Sequence, residues 1–152
     1  MEAPTVKTIP AMTVVCVNHQ GPYDQIGEVY QELFVWASSK GVKPAGQPFT
    51  LFTSPPSELD WNSARFSVCL PVDASVEGDA KVTRQELPET KVASVTVEGS
   101  YDKIPAHYTE LLAWMDNDGL EPAGPPREIY HVSPADTDDP KSYRTEIQFP
   151  VR

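Results

Sequence analysis

The chain has 152 residues, the size of one compact domain, with 39% apolar residues and no apolar run long enough to cross a membrane. Its 22 acidic residues outweigh 12 basic ones, giving a formal charge of -10 with no Lys/Arg stripe to offset it, which argues against direct nucleic-acid binding. The same charge would concentrate cationic small molecules near the surface, and the first residues lack an apolar leader, so a cytoplasmic protein is expected.

Residues 6–9 read as a lead-in strand halted by Pro10, which lacks a ladder donor. The β-branched run at 13–17 predicts a strand that ends in a turn over 18–22. From residue 23 to residue 40 the apolar period changes from two to about 3.6, predicting a helix with Ile26, Tyr30, Leu33 and Ala37 on one stripe. Gly41 suits the left-handed position after a helix C-terminus. A proline-containing connector then leads to a strand at 49–53, a polar loop, and a last strand at 65–72 that closes on Pro71-Val72. Cys16 and Cys69 lie in separate apolar stretches without a CxxC spacing and are expected to be reduced and buried.

The second half repeats this order. Residues 81–87 form a second lead-in before Pro88, and the set Gly21, Tyr23, Asp24, Ile26, Tyr30, Leu33, Trp36, Gly41 recurs as Gly99, Tyr101, Asp102, Ile104, Tyr108, Leu111, Trp114, Gly119. The offset is constant (99 − 21 = 78), and roughly fifteen of some thirty-five aligned positions are identical, far above chance without gaps. The second helix stripe is Ile104, Tyr108, Leu111 and Met115, followed by strands at 127–132 and 144–151, with one extra residue before Ser133. The reading is an α+β domain over residues 1–152. Two pseudo-symmetric strand-helix-strand-strand repeats, about 5–72 and about 81–151, form a mainly antiparallel curved sheet with two helices.

Trp36 and Trp114 occupy equivalent helix positions about a quarter turn off the apolar stripe. They either pack between the halves or form aromatic walls able to hold flat or cationic ligands. Where the repeats disagree, function is a candidate explanation. Aligned on their Pro-Val ends, the last strands place Glu146 opposite Ser67 in the other copy. Alternation puts Glu146 with Arg144 and Gln148 on one face, and Ile147 with Phe149 on the other. Spacing alone leaves open whether that carboxylate is solvated or lines a pocket. The three histidines, His19, His107 and His131, show no metal-site spacing, and nucleophile, phosphate-loop and dinucleotide signatures are missing, so neither metal nor cofactor is expected.

The duplicated pattern of strand, Gly-Pro-Tyr-Asp-x-Ile helix start and Pro-Val-ended strand resembles the GyrI-like small-molecule-binding family. The motifs that carry the resemblance are His19-Gln20-Gly21-Pro22-Tyr23, Glu128-Ile129-Tyr130 and Glu146-Ile147-Gln148-Phe149-Pro150-Val151. That family also supplies the effector-binding domain of AraC-type and MerR-type regulators. The resemblance implies a ligand pocket where the halves meet, lined by aromatics around one glutamate of the last strand, matched here by Glu146. The family's pocket tyrosine matches Tyr130 and its helix aromatics match Tyr108 and Trp114. With Trp36 and Tyr30 from the first repeat, these are the expected ligand-binding residues.

No helix-turn-helix segment flanks the repeats, so a free-standing member is expected. The leading reading is promiscuous binding of amphipathic, aromatic and often cationic small molecules, for sequestering or sensing. One alternative is hydrolysis of cyclopropane-containing natural products, with Glu146 as the catalytic acid or base beside Tyr108 or Tyr130. A second is a protein-interaction module that inhibits DNA gyrase, which no contiguous motif supports.

Overall fold

The β-branched run at residues 13–17 lies in a strand, and the two 3.6-period stretches lie in helices. The computed structural model describes residues 4–21, 25–52, 64–100, 103–132 and 136–152. Its elements are β1 (Thr5–Ile9), β2 (Met12–Gly21), α1 (Ile26–Ser39), β3 (Phe49–Phe52), β4 (Ala64–Val72), β5 (Thr83–Leu87), β6 (Thr90–Glu98), α2 (Ile104–Asn117), β7 (Arg127–Val132) and β8 (Arg144–Pro150). Expected features at Tyr23, Asp24, Tyr101 and Asp102, and in the loops at Ser54-Pro55 and Ser133-Pro134, lie outside the described residues.

The fold is α+β, with two α-helices and antiparallel strands among the described residues, in two units. The N-terminal unit spans Pro10–Glu89, and the C-terminal unit joins Met1–Ile9 to Thr90–Arg152. Strand order is β3-β4-β2-β5 in the first and β1-β6-β8-β7 in the second, with antiparallel neighbours. The lead-in strands are therefore exchanged relative to the sequence repeats. β1 pairs with β6 from Thr5↔Ser94 to Ile9↔Thr90, while β5 pairs with β2 from Met12↔Leu87 to Cys16↔Thr83. Pro10 and Pro88 follow the last residues of these ladders, where a missing N–H forbids another rung. β2 also runs beyond its expected end, because pairing with β4 continues to Gly21↔Ala64. Cross-strand partners hold the polar Asn18-His19-Gln20 stretch extended against its local turn preference.

Each helix lays its apolar stripe on its own unit's sheet. Ile26, Val29, Leu33 and Ala37 of α1 pack on Val15, Val17, Phe66, Val68 and Leu70. Ile104, Tyr108, Leu111 and Met115 of α2 pack on Ala93, Val95, Val97, Ile147 and Phe149. Burying each large side chain contributes about 1.5–3 kcal/mol. The two helices end alike. The Val42 N–H reaches the Ala37 carbonyl at 2.9 Å and the Gly41 N–H the Ser38 carbonyl at 3.2 Å, with the same pair at Leu120–Met115 (2.8 Å) and Gly119–Asp116 (3.2 Å). Gly41 and Gly119 have φ of 68° and 71°, the left-handed conformation this cap requires. Val42 and Leu120 then fold back onto the two cores. The repeated Pro-Val endings also have a matched use, since the Pro71 and Pro150 carbonyls accept from the Ala45 and Ala123 amides, both at 2.8 Å.

Candidate functional site

In the C-terminal unit, strand alternation decides which polar side chains meet. Glu128 pairs with Ile147 and Tyr130 with Thr145 across β7 and β8. Ile147 belongs to the core under α2, so Glu128 and Tyr130 project to the helix side. There Tyr108, one turn into α2, reaches down. Its hydroxyl donates to Glu128 Oε2 at 2.9 Å, and the Tyr130 hydroxyl donates to Oε1 at 3.0 Å. Glu128 is 0% exposed. A carboxylate so far from water costs several kcal/mol unless paired or hydrogen-bonded, so this group is held for a reason or by strong partners. Trp114, two turns along α2 from Tyr108, is half-buried and packs against the same core.

Glu146 lies on the opposite face. It pairs with Thr96 and Ile129, whereas its chain neighbours Thr145 and Ile147 point to the helix. It too is buried, but among donors. Ser94 Oγ lies at 2.6 Å, Gln148 Nε2 at 2.9 Å, His131 Nε2 at 2.8 Å and the Lys7 ammonium at 2.5 Å. A bulge between Tyr130 and Val132 leaves His131 as the extra residue on this side. Burial alone would push the Glu146 carboxyl up. The contacts from His131, Lys7, Ser94 and Gln148 outweigh it and hold the group well below its ordinary range. The alternation expected from sequence is thus present, with Ile147 and Phe149 on the helix-covered face, and the structure does not bring Glu146 to Tyr108 and Tyr130.

In the N-terminal unit, Trp36 is half-buried beside the core, and its indole N–H donates to Asp79 Oδ2 at 2.7 Å. That bond first, then the Lys81 and Val82 amides, pulls the Asp79 carboxyl down to about 2. Trp36 therefore clips the turn before β5 to α1, a contact that residue spacing did not reveal. Tyr30 packs against the same core and stacks on Phe34, with ring centroids 6.0 Å apart. Its repeat-mate is Tyr108. The mates of Glu128 and Tyr130 at the 78-residue offset are Thr50 and Phe52, both buried. The carboxylate therefore belongs to one repeat only. The mismatch test that singled out Ser67 and Glu146 would have found Thr50 and Glu128 had it been applied to β3 and β7. Among the described residues no group of His, Cys, Asp or Glu is placed to hold a metal ion.

Residues 2–152 match the GyrI-like small molecule binding domain. The chain belongs to this family. No curated protein matches it. Among solved structures, the C-terminal domain of EcmrR superposes on this GyrI-like chain with a TM-score of 0.85 at 23% identity, covering 99% of this chain and 97% of that one. EcmrR in its DNA complex gives 0.92 at 22% identity, covering 99% of this chain, which spans only 57% of that longer chain. A hydrolase from Listeria innocua gives 0.73 at 14% identity, with 98% and 91% covered. SAV2435 bound to tetraphenylphosphonium gives 0.66 at 14% identity, with 99% and 94% covered. At these identities the likeness shows a shared fold. No helix among the described residues is long and apolar enough to cross a membrane.

Proposed function

We propose that this GyrI-like domain binds lipophilic aromatic cations, with Glu128 as the counter-charge and Tyr108, Tyr130 and Trp114 as its aromatic surroundings. The observation that carries the reading is a fully buried carboxylate whose two oxygens both accept from tyrosine hydroxyls under α2. A bound organic cation would meet the Glu128 carboxyl group directly, and the aromatic rings would contribute about 0.5–2 kcal/mol each by stacking and cation–π contact. Because Glu128 has no exposed surface, entry requires Tyr108 to swing aside or α2 to shift. The capture of tetraphenylphosphonium by SAV2435, which shares the fold, supports the ligand class. Trp36 and Tyr30 belong to the other unit, where they pack on its core and, for Tyr30, stack on Phe34.

The test is a calorimetric titration with tetraphenylphosphonium and with neutral triphenylphosphine oxide. The cation should bind at least about tenfold more tightly, and Glu128→Gln should erase the preference. Equal affinity of the wild type for both compounds would overturn the reading. A hydrolase reading draws on the fold shared with the Listeria innocua hydrolase, with Glu128 and its phenols as the proton-handling groups. Product formation from a cyclopropane-containing substrate, abolished in Glu128→Gln, would favour it.

A further inference from the structure

The face of the N-terminal sheet turned away from α1 carries a feature that ligand binding does not use. Cys16 on β2 and Cys69 on β4 are direct cross-strand partners. Val15, Val17, Val68 and Leu70 on either side of them point to the α1 core, so both thiols project to the other face. Their sulfurs are 2.9 Å apart, inside van der Waals contact, and both residues are 0% exposed and reduced. Directly opposed antiparallel residues have Cα separations of about 4.5–5.5 Å, within the range a disulfide spans without backbone movement. The second repeat treats the same two positions as a unit. The mates of Cys16 and Cys69 are Ser94 and Gln148, also a facing pair, and both donate to Glu146. In the first repeat residue 67 is serine where the second has the Glu146 carboxylate, and two sulfurs stand in place of its donors.

We propose that Cys16 and Cys69 are a reversible oxidation site that forms an intrachain disulfide with hydrogen peroxide or an organic hydroperoxide. One thiolate attacks a peroxide oxygen, the O–O bond breaks, and hydroxide (from an organic hydroperoxide, the alkoxide) leaves as the sulfur becomes a cysteine sulfenic acid. The facing thiolate then attacks that sulfur, the S–O bond breaks, hydroxide leaves and the S–S bond forms. The two protons released by the thiols convert these leaving groups to two waters, or to one water and one alcohol when the oxidant is an organic hydroperoxide. The sulfurs together lose two electrons, which the peroxide gains. Access is through β5, a five-residue strand at the end of the N-terminal unit's sheet, which pairs Thr83 with Cys16 and is largely exposed. A small peroxide fits such a local opening where a bulky reagent does not. The product ties β2 to β4 across 53 residues of sequence, a restraint on the unfolded chain that raises thermal stability.

The experiment exposes the full chain to hydrogen peroxide, then unfolds it in iodoacetamide and weighs the intact protein. The expected result is a monomer about 2 Da lighter with neither cysteine alkylated, and full alkylation after dithiothreitol. The oxidised protein should also melt higher than the reduced one. Cys69→Ser and Cys16→Ser, each checked by thermal melt, should lose the protected product and accept one alkyl group under reducing conditions. Two alkylated cysteines after peroxide treatment that fully oxidises free glutathione would overturn the proposal. So would protection found only in intermolecular dimers, or protection that survives in either serine variant.

Discussion

At Glu128 two phenol hydroxyls meet one carboxylate that water does not reach, and at Glu146 four donors meet another on the far face of the same sheet. The two glutamates therefore sit in different surroundings. Glu146 is a stabilising anion whose depressed folded-state value means that its contribution is present above the unfolded value of 4.5 and lost as pH falls below it. Urea midpoints should drop between about pH 5 and about pH 3 in the wild type and drop less in Glu146→Gln; parallel profiles would contradict the assignment. Lys7→Met should reproduce part of that loss, because it removes the closest cationic partner. The sequence showed Glu146 as a mismatch between repeats but could not say which face α2 covers. It showed Glu128 only inside a family motif. A carboxylate that donates nothing to strand periodicity looks the same in a pattern whether it meets solvent or tyrosines.

Elements were more legible than sites. The period change from two to 3.6, the two apolar stripes and the glycine stops all became the helices and caps that the spacing predicts, because each rests on local stereochemistry. Gly41→Ala or Gly119→Ala should each cost about 1 kcal/mol, lowering the melting temperature by about 2–4 °C. The Trp36 indole contact is of another kind, since it joins residues 43 apart in sequence and has no counterpart in the repeat logic. Trp36→Phe should let the Asp79 carboxyl rise from about 2 toward 3.8, measured by carboxyl NMR titration; an unmoved value would show that the amides of the turn suffice. The exchange of β1 and β5 between the repeats was equally hidden. Two consecutive strands broken by a proline read alike whether the second returns beside the first or continues to another sheet edge.

For the whole molecule, the two repeats share one scaffold, and among the described residues only the second places an acid under its helix. Matched positions such as Gly41 with Gly119 and Pro71 with Pro150 hold the frame. Unmatched positions separate roles, with Thr50 against Glu128 assigned to ligand charge, Ser67 against Glu146 to the polar network, and Cys16 and Cys69 against Ser94 and Gln148 to oxidation chemistry. The acidic surface, with a formal charge of -10, favours cationic ligands at low salt without selecting among them, so salt should slow their association more than it weakens their final binding. In the proposed binding mode, charge recognition resides in Glu128. Titrating tetraphenylphosphonium into wild type, Glu128→Gln and Glu146→Gln, each confirmed folded by its melt, tests it most directly. Glu128→Gln should lose about tenfold or more in affinity and Glu146→Gln should stay within about twofold of wild type; the reverse order, or an undiminished affinity in Glu128→Gln, would rule out Glu128 as the counter-charge.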